Sequence, residues 1–144
     1  MPAWINTGFQ DYAKRLPKPY QLNLIEINLE TRSQKKDIQK LIHKEGEQML
    51  AAIPAHHQVI ALDVMGQAWD TMTVAKQLQQ WKEQSQAVSF LIGGPDGLAP
   101  LCLQRANLRW SLSPLTLPHA LVRIIVIEQL YRAFSILTHH PYHR

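Results

Sequence analysis

Ten consecutive residues constrain this chain more than any others: the apolar run Val88-Ser89-Phe90-Leu91-Ile92 enters Gly93-Gly94-Pro95-Asp96-Gly97, a turn holding three of the six glycines. A run of that length, rich in Val, Ile and Phe, suits a strand covered on both faces, as in a parallel α/β sheet. Ligands of open α/β sheets sit beyond the carboxyl ends of the strands, where glycine lets the main chain approach closely. A tight strand-to-helix turn with no ligand would use the same residues, so the motif alone does not choose.

The rest of the chain alternates helix and strand. Ala3, Trp4, Ile5, Phe9, Tyr12, Ala13 and Leu16 recur at helical spacing until Pro17-Lys18-Pro19. Residues 21–28 alternate in part and read as a strand, followed by a polar, basic loop around residues 31–36. Ile38, Leu41, Ile42, Glu45, Met49 and Leu50 predict a second amphipathic helix stopped by Pro54. Residues 58–62 predict a compact strand, 63–71 a loop around Gly66, and the following segment a helix to about Gln84, capped by Asp70 or Thr71. A strand over 87–92, a short helix from Pro100 to about Arg105 and a short strand over 108–111 complete the alternation. The expected fold is α/β, a mainly parallel sheet with helices on both faces, in a single domain over residues 1–144.

Leu112-Ser113-Pro114-Leu115-Thr116-Leu117-Pro118 then mixes apolar side chains, hydroxyls and prolines, which makes it stiff and poorly suited to helix or strand. Pro118 suits the first turn of a last helix reaching about Leu137. That helix is apolar over far more than one stripe: Leu121, Val122, Ile124, Ile125, Val126, Ile127, Leu130, Tyr131, Phe134, Ile136 and Leu137. Its second face needs a cover. A second copy of the chain would supply one, giving a homodimer through this helix; the first helix is the other candidate.

Charge is divided unevenly. Residues 1–102 carry ten basic and ten acidic side chains, so the net +4 lies wholly after Cys102, where Arg105, Arg109, Arg123, Arg132 and Arg144 face one acid, Glu128, and no lysine. Arginine without lysine suits bidentate recognition of phosphate and stacking on bases, so a polyanion is a plausible partner. A single cysteine excludes an internal disulfide framework, no secretory signal is legible, and a cytoplasmic protein is expected. Residues 120–137 are interrupted by Arg123, Glu128, Gln129 and Arg132, so they read as a buried helix and not a membrane span.

Several chemistries lack their motifs. Gly93, Gly94 and Gly97 do not make G-x-G-x-x-G, and neither a phosphate-binding G-x-x-x-x-G-K-[ST] loop nor a G-x-S-x-G elbow occurs. Cys102 lies among apolar residues with no adjacent histidine and reads as core. No carboxylate or thiol neighbours His139, His140 and His143, so no metal site is expected. What remains is three loops converging at one sheet edge, after Leu62, after Ile92 and over 112–117. Main-chain groups, apolar side chains and hydroxyls with few charges suit a small cofactor with an aromatic ring.

These segments in this order resemble the RlmH family of SPOUT methyltransferases, bacterial enzymes that methylate N3 of a pseudouridine in large-subunit ribosomal RNA. The resemblance runs over nearly the whole chain: Met1-Pro2-Ala3-Trp4, Lys44-Glu45-Gly46-Glu47-Gln48-Met49-Leu50, Leu62-Asp63 with Gly66, Trp69-Asp70-Thr71, Leu91 to Leu98, Trp110-Ser111-Leu112-Ser113 and the ending His140-Pro141-Tyr142-His143-Arg144. It implies a C-terminal trefoil knot holding S-adenosylmethionine, and a homodimer. The implied cofactor contacts are Leu62, Gly93, Leu112, Ser113, Pro114, Leu115, Thr116 and Leu117. Pro114 departs from the family's usual residue and lacks a main-chain donor. The resemblance implies a first strand and short glycine-bearing turn ahead of the segment matching Met1-Pro2, which this sequence does not show; losing a strand from a parallel sheet would leave unpaired backbone and lost packing, which bears on stability and activity.

Direct methyl transfer to an imide nitrogen needs a proton acceptor and neither metal nor covalent intermediate. His143 is the candidate base, with Arg132 or Arg144 positioning phosphate or stabilising the developing anion. Tyr142, Arg123 and His119 are candidate RNA contacts. The structural alternatives are an i,i+4 pair of Arg132 with Glu128 and a frayed end at His143. The competing function is a non-catalytic RNA-binding module using the same basic end. In either case ribosomal RNA or an assembled ribosome is the expected partner.

Overall fold

A computed structural model describes residues 2–28 and 37–144; the basic loop expected around residues 31–36 lies outside the described residues. The chain falls into two compact units. One comprises residues 1–23, 69–86 and 117–144; the other comprises residues 24–68 and 87–116.

The second unit carries the sheet. Helix α2 (Ile38–Ala51) starts at Asp37, whose carboxylate accepts from the Gln39 N–H. Strand β1 (Gln58–Ala68) is central, flanked by β2 (Val88–Leu91) and β3 (Leu108–Ser111), and both pairings are parallel. Val59, Ile60 and Ala61 are fully buried, so β1 is covered on both faces and its continuous apolar pattern follows. On one face Val59 and Leu91 pack with Ile42 of α2 and with Ala99 and Cys102 around α4 (Pro100–Arg105). Asn107 lengthens the β1–β3 ladder: its main-chain N–H donates to the Val59 carbonyl at 2.8 Å, and its side-chain oxygen accepts from the Val59 N–H at 2.8 Å.

Two expectations are corrected here. Residues 21–28 form no strand, although their exposure alternates in part; a strand is a property of a pair, and no described strand lies alongside to complete a ladder. Strand β1 does not stop at Leu62 before a loop. Its register shifts instead, Leu62 and Gln67 both lying opposite Trp110, so residues 63–66 bulge while the strand resumes to Ala68. Gly66 makes the bulge possible, since a Cβ there would lie 2.6 Å from the Arg109 carbonyl carbon.

The first unit is helical: α1 (Ala3–Ala13), α3 (Thr71–Glu83), α5 (His119–Leu137) and a 3-10 turn over Pro141–His143. Asp70 caps α3, accepting from the N–H and hydroxyl of Thr73 at 2.8 and 2.7 Å. These bonds hold its carboxyl below the usual carboxylate range. Helix α5 is clothed on two sides, by α1 and by α3. Tyr12 of α1 meets Tyr131 with ring centroids 6.2 Å apart, and the Thr71 hydroxyl donates to the Gln129 side-chain oxygen at 2.9 Å. The first helix therefore supplies part of the cover that the apolar breadth of α5 required. Val126, Ile127, Leu130, Tyr131 and Ala133 are buried, whereas Leu121 and, on α1, Trp4 stay exposed. No helix among the described residues is long and apolar enough to cross a membrane.

Candidate functional site

The parallel register sets the carboxyl ends of the strands at one sheet edge in the second unit. Ala61 pairs with Leu91 and Leu62 with Trp110, so the β1 bulge that follows Leu62, the turn at Gly93 after β2 and the residues after Ser111 all lie toward that edge. The turn after β2 closes on itself: Gly94 and Gly97 bridge, and the Gly97 N–H donates to the Gly94 carbonyl at 3.0 Å. A Cβ on Gly93 would lie 2.6 Å from the Gly97 carbonyl carbon, and Gly97 itself has φ +83°. The turn's own geometry thus demands these glycines, before any ligand is considered.

The loop after β3 is held locally. Ser111 donates from its hydroxyl to the Ser113 carbonyl at 3.2 Å, and the Ser113 hydroxyl accepts from the Leu115 N–H at 2.9 Å. Pro114, Leu115 and Thr116 are exposed, Leu115 by 68%. Leu115 stands in water beside hydroxyls and main-chain groups, with no charge over 112–116, a surface compatible with an aromatic, largely neutral ligand. Leu117 falls in the first unit. Cys102 is buried against the Gly46 carbonyl, and burial pushes its thiol pKa up, so it is core and no nucleophile. Two C-terminal arginines are tied to their own unit: Arg105 donates to the His57 carbonyl at 3.3 Å and Arg109 to the Leu103 carbonyl at 3.2 Å.

The remaining candidates lie in the first unit. The chain reverses after α5 through paired bonds, His139 N–H to the Ile136 carbonyl at 3.3 Å and His140 N–H to the Ser135 carbonyl at 2.8 Å, with His139 at φ 60°. This is the Schellman arrangement with a histidine where glycine is usual. The His140 ring nitrogen accepts from the Tyr142 N–H at 3.2 Å and caps the final turn. Tyr142 packs on Tyr131 with centroids 4.6 Å apart, and the Arg132 guanidinium lies 5.0 Å from the Tyr142 centroid. Burial first, then the bond to Tyr12, pushes the Tyr142 phenol up to about 12.

Arg132 does make the i,i+4 pair, Nε to Glu128 at 2.6 Å, and this bond raises its already high pKa. His143 is not frayed: its Nδ1 lies 3.3 Å from the Ser135 Oγ. Arg144 is exposed, its N–H donating to the Pro141 carbonyl at 3.1 Å. His119 opens α5 and Arg123 lies one turn on, both half-buried. The three tail histidines do not converge, and no group of three or more His, Cys, Asp or Glu among the described residues could hold a metal ion.

The sequence reading missed Ser135, Tyr12 and Tyr131, which hold the tail in place. A lone serine inside an apolar helix was the available signal.

Main-chain groups, hydroxyls and an exposed leucine lie at the carboxyl edge of a parallel sheet, the place where open α/β proteins take their ligands. Residues 1–143 match the family described as predicted SPOUT methyltransferase. The chain is also similar to the ribosomal RNA large subunit methyltransferase H of Coxiella burnetii (strain Dugway 5J108-111), 51% identical over 144 residues, all of this chain and 93% of that protein. The chain belongs to the SPOUT methyltransferase family.

Proposed function

We propose that this methyltransferase uses S-adenosylmethionine to methylate N3 of a pseudouridine in bacterial large-subunit ribosomal RNA, in the cytoplasm. The observation that carries the reading is the 51% identity, over all of this chain and 93% of that protein, to a ribosomal RNA large subunit methyltransferase H. The chemistry of the sheet edge supports the cofactor. Leu62, Gly93, Leu112, Ser113, Pro114, Leu115, Thr116 and Leu117 would hold it, the main chain supplying polar contacts and Leu115 an apolar one. Bound there, it would supply an electrophilic methyl group. The trefoil knot implied by the family belongs to the same reading.

The protein's own residues have four tasks: bind RNA, orient the ring, exclude water and take the imide proton. His143 is the proton acceptor. Arg144 and the terminal nitrogens of Arg132 meet phosphate, because the bond to Glu128 uses only Nε of the Arg132 fork. Arg123 and His119, one turn apart at the start of α5, would be further RNA contacts; nine residues separate Arg123 from Arg132, which puts those two arginines on opposite sides of the helix. Tyr142, half-buried against Tyr131 and beneath the Arg132 guanidinium, would meet the target base with the part of its ring left free. Alignment of donor and acceptor supplies much of the rate. Exposed Leu121 and Trp4 support a homodimer through α5.

Methyl incorporation into ribosomes from cells lacking the enzyme, with the product nucleoside identified by mass, tests the reading. A methylated pseudouridine supports it; absence of both product and S-adenosylmethionine binding by calorimetry leaves an RNA-binding module instead.

A further inference from the structure

Near the end of α5 is a hydroxyl whose single proton is already committed. Ser135 is fully buried, and its Oγ donates to the Arg132 carbonyl at 2.7 Å. A hydroxyl has one proton and two lone pairs, so toward any other neighbour Ser135 can only accept. That neighbour is His143, with Nδ1 3.3 Å from the same Oγ. Nδ1 can bond there only when it carries hydrogen, and in a neutral imidazole the lone pair then belongs to Nε2.

We infer that Ser135 is a positioning residue that holds neutral His143 as the Nδ1–H tautomer, leaving Nε2 as the bare acceptor. The helix-ending reversal at His139 and His140 and the packing of Tyr142 on Tyr131 bring His143 back over a residue eight positions earlier. Serine also does what a carboxylate in its place would not. Either partner selects the Nδ1–H form, but a carboxylate would additionally favour the imidazolium, which has no lone pair to offer. The inference rests on His143 as proton acceptor for its catalytic meaning, though the tautomer itself does not depend on that role.

Long-range proton–nitrogen correlation spectra of the labelled full chain, recorded where His143 is neutral and assigned by loss of its signals in His143→Gln, read the tautomer directly. The expected spectrum shows a protonated-type Nδ1 and an unprotonated-type Nε2. Ser135→Ala should shift the population toward Nε2–H, and Ser135→Thr should keep the original pattern. A wild-type ring protonated on Nε2, or a Ser135→Ala ring still protonated on Nδ1, overturns the inference; if Ser135→Ala does not fold, the wild-type spectrum decides. Methyl transfer should fall about tenfold or more in Ser135→Ala and recover in Ser135→Thr. The expected tautomer with unaltered transfer in Ser135→Ala would remove His143 from the mechanism and leave the tautomer assignment standing.

Discussion

The Tyr142 hydroxyl donates to the Tyr12 hydroxyl at 3.3 Å, joining residues 130 positions apart in the chain. The bond ties the final turn to α1, and with it the orientation of His143 and Arg144. Tyr12→Phe should cost about 0.5–1.5 kcal/mol in urea unfolding. It should also lower methyl transfer while leaving S-adenosylmethionine affinity unchanged.

Burial first, and then this bond, give Tyr142 an alkaline signature. The folded protein keeps the Tyr142 proton up to about pH 12, whereas an unfolded tyrosine releases it near pH ~10. The folded state therefore binds more protons between those values, so the stabilisation is complete below about pH 10 and is lost as pH rises through the higher value. Melting curves of Tyr142→Phe should show a shallower alkaline decline than wild type; an identical decline would place the phenol outside the stability balance.

Gly66 and Gly97 should fail for different reasons. Alanine at Gly66 would set its Cβ 2.6 Å from the Arg109 main chain, which cannot swing aside as a flexible side chain can. About 1–3 kcal/mol of stability should be lost, with the β1 bulge displaced. At Gly97 nothing lies within 4 Å, and only φ +83° opposes a side chain; about 1 kcal/mol is expected there. Chemical denaturation of both variants checks the order.

His139 occupies the left-handed region at φ 60° in a position that favours glycine. His139→Gly should stabilise the protein by a few tenths to about 1 kcal/mol, read as a rise in Tm, because the Cβ strain goes while both main-chain bonds stay. An unchanged or lower Tm would mean that the added freedom of the unfolded chain offsets the relief.

Asp70 should matter most above acid pH. Its carboxyl is depressed by Thr73, so its contribution is present above the unfolded pKa of about 3.9 and disappears as pH falls through the lower folded value. Asp70→Ala should lower Tm at neutral pH and converge with wild type in acid, while Asp70→Asn keeps an acceptor for the Thr73 N–H and loses this pH dependence.

Local pattern determined a great deal. The apolar run into Gly93, the Asp70 cap, the proline stops and the helical spacing of α2 and α5 were legible because each depends on a residue and its near neighbours. The turns after β2 and β3 were legible too, since strands of a parallel sheet end on one side whatever their exact register; the loop expected after Leu62 was not, because β1 resumes there. Tertiary structure alone decided what depends on a distant partner. Residues 21–28 have a strand's pattern and no neighbour to complete a ladder, while β1 continues past Leu62 only because Trp110 of β3 accepts it twice. The tail took its place the same way: a serine inside an apolar helix marks Ser135 without naming its partner, nothing local marks Tyr12 or Tyr131 as tail contacts, and the three hold His143 and Tyr142 only once α5 and the chain reversal have brought them together. Pattern specifies which face a residue shows; only packing specifies what that face meets.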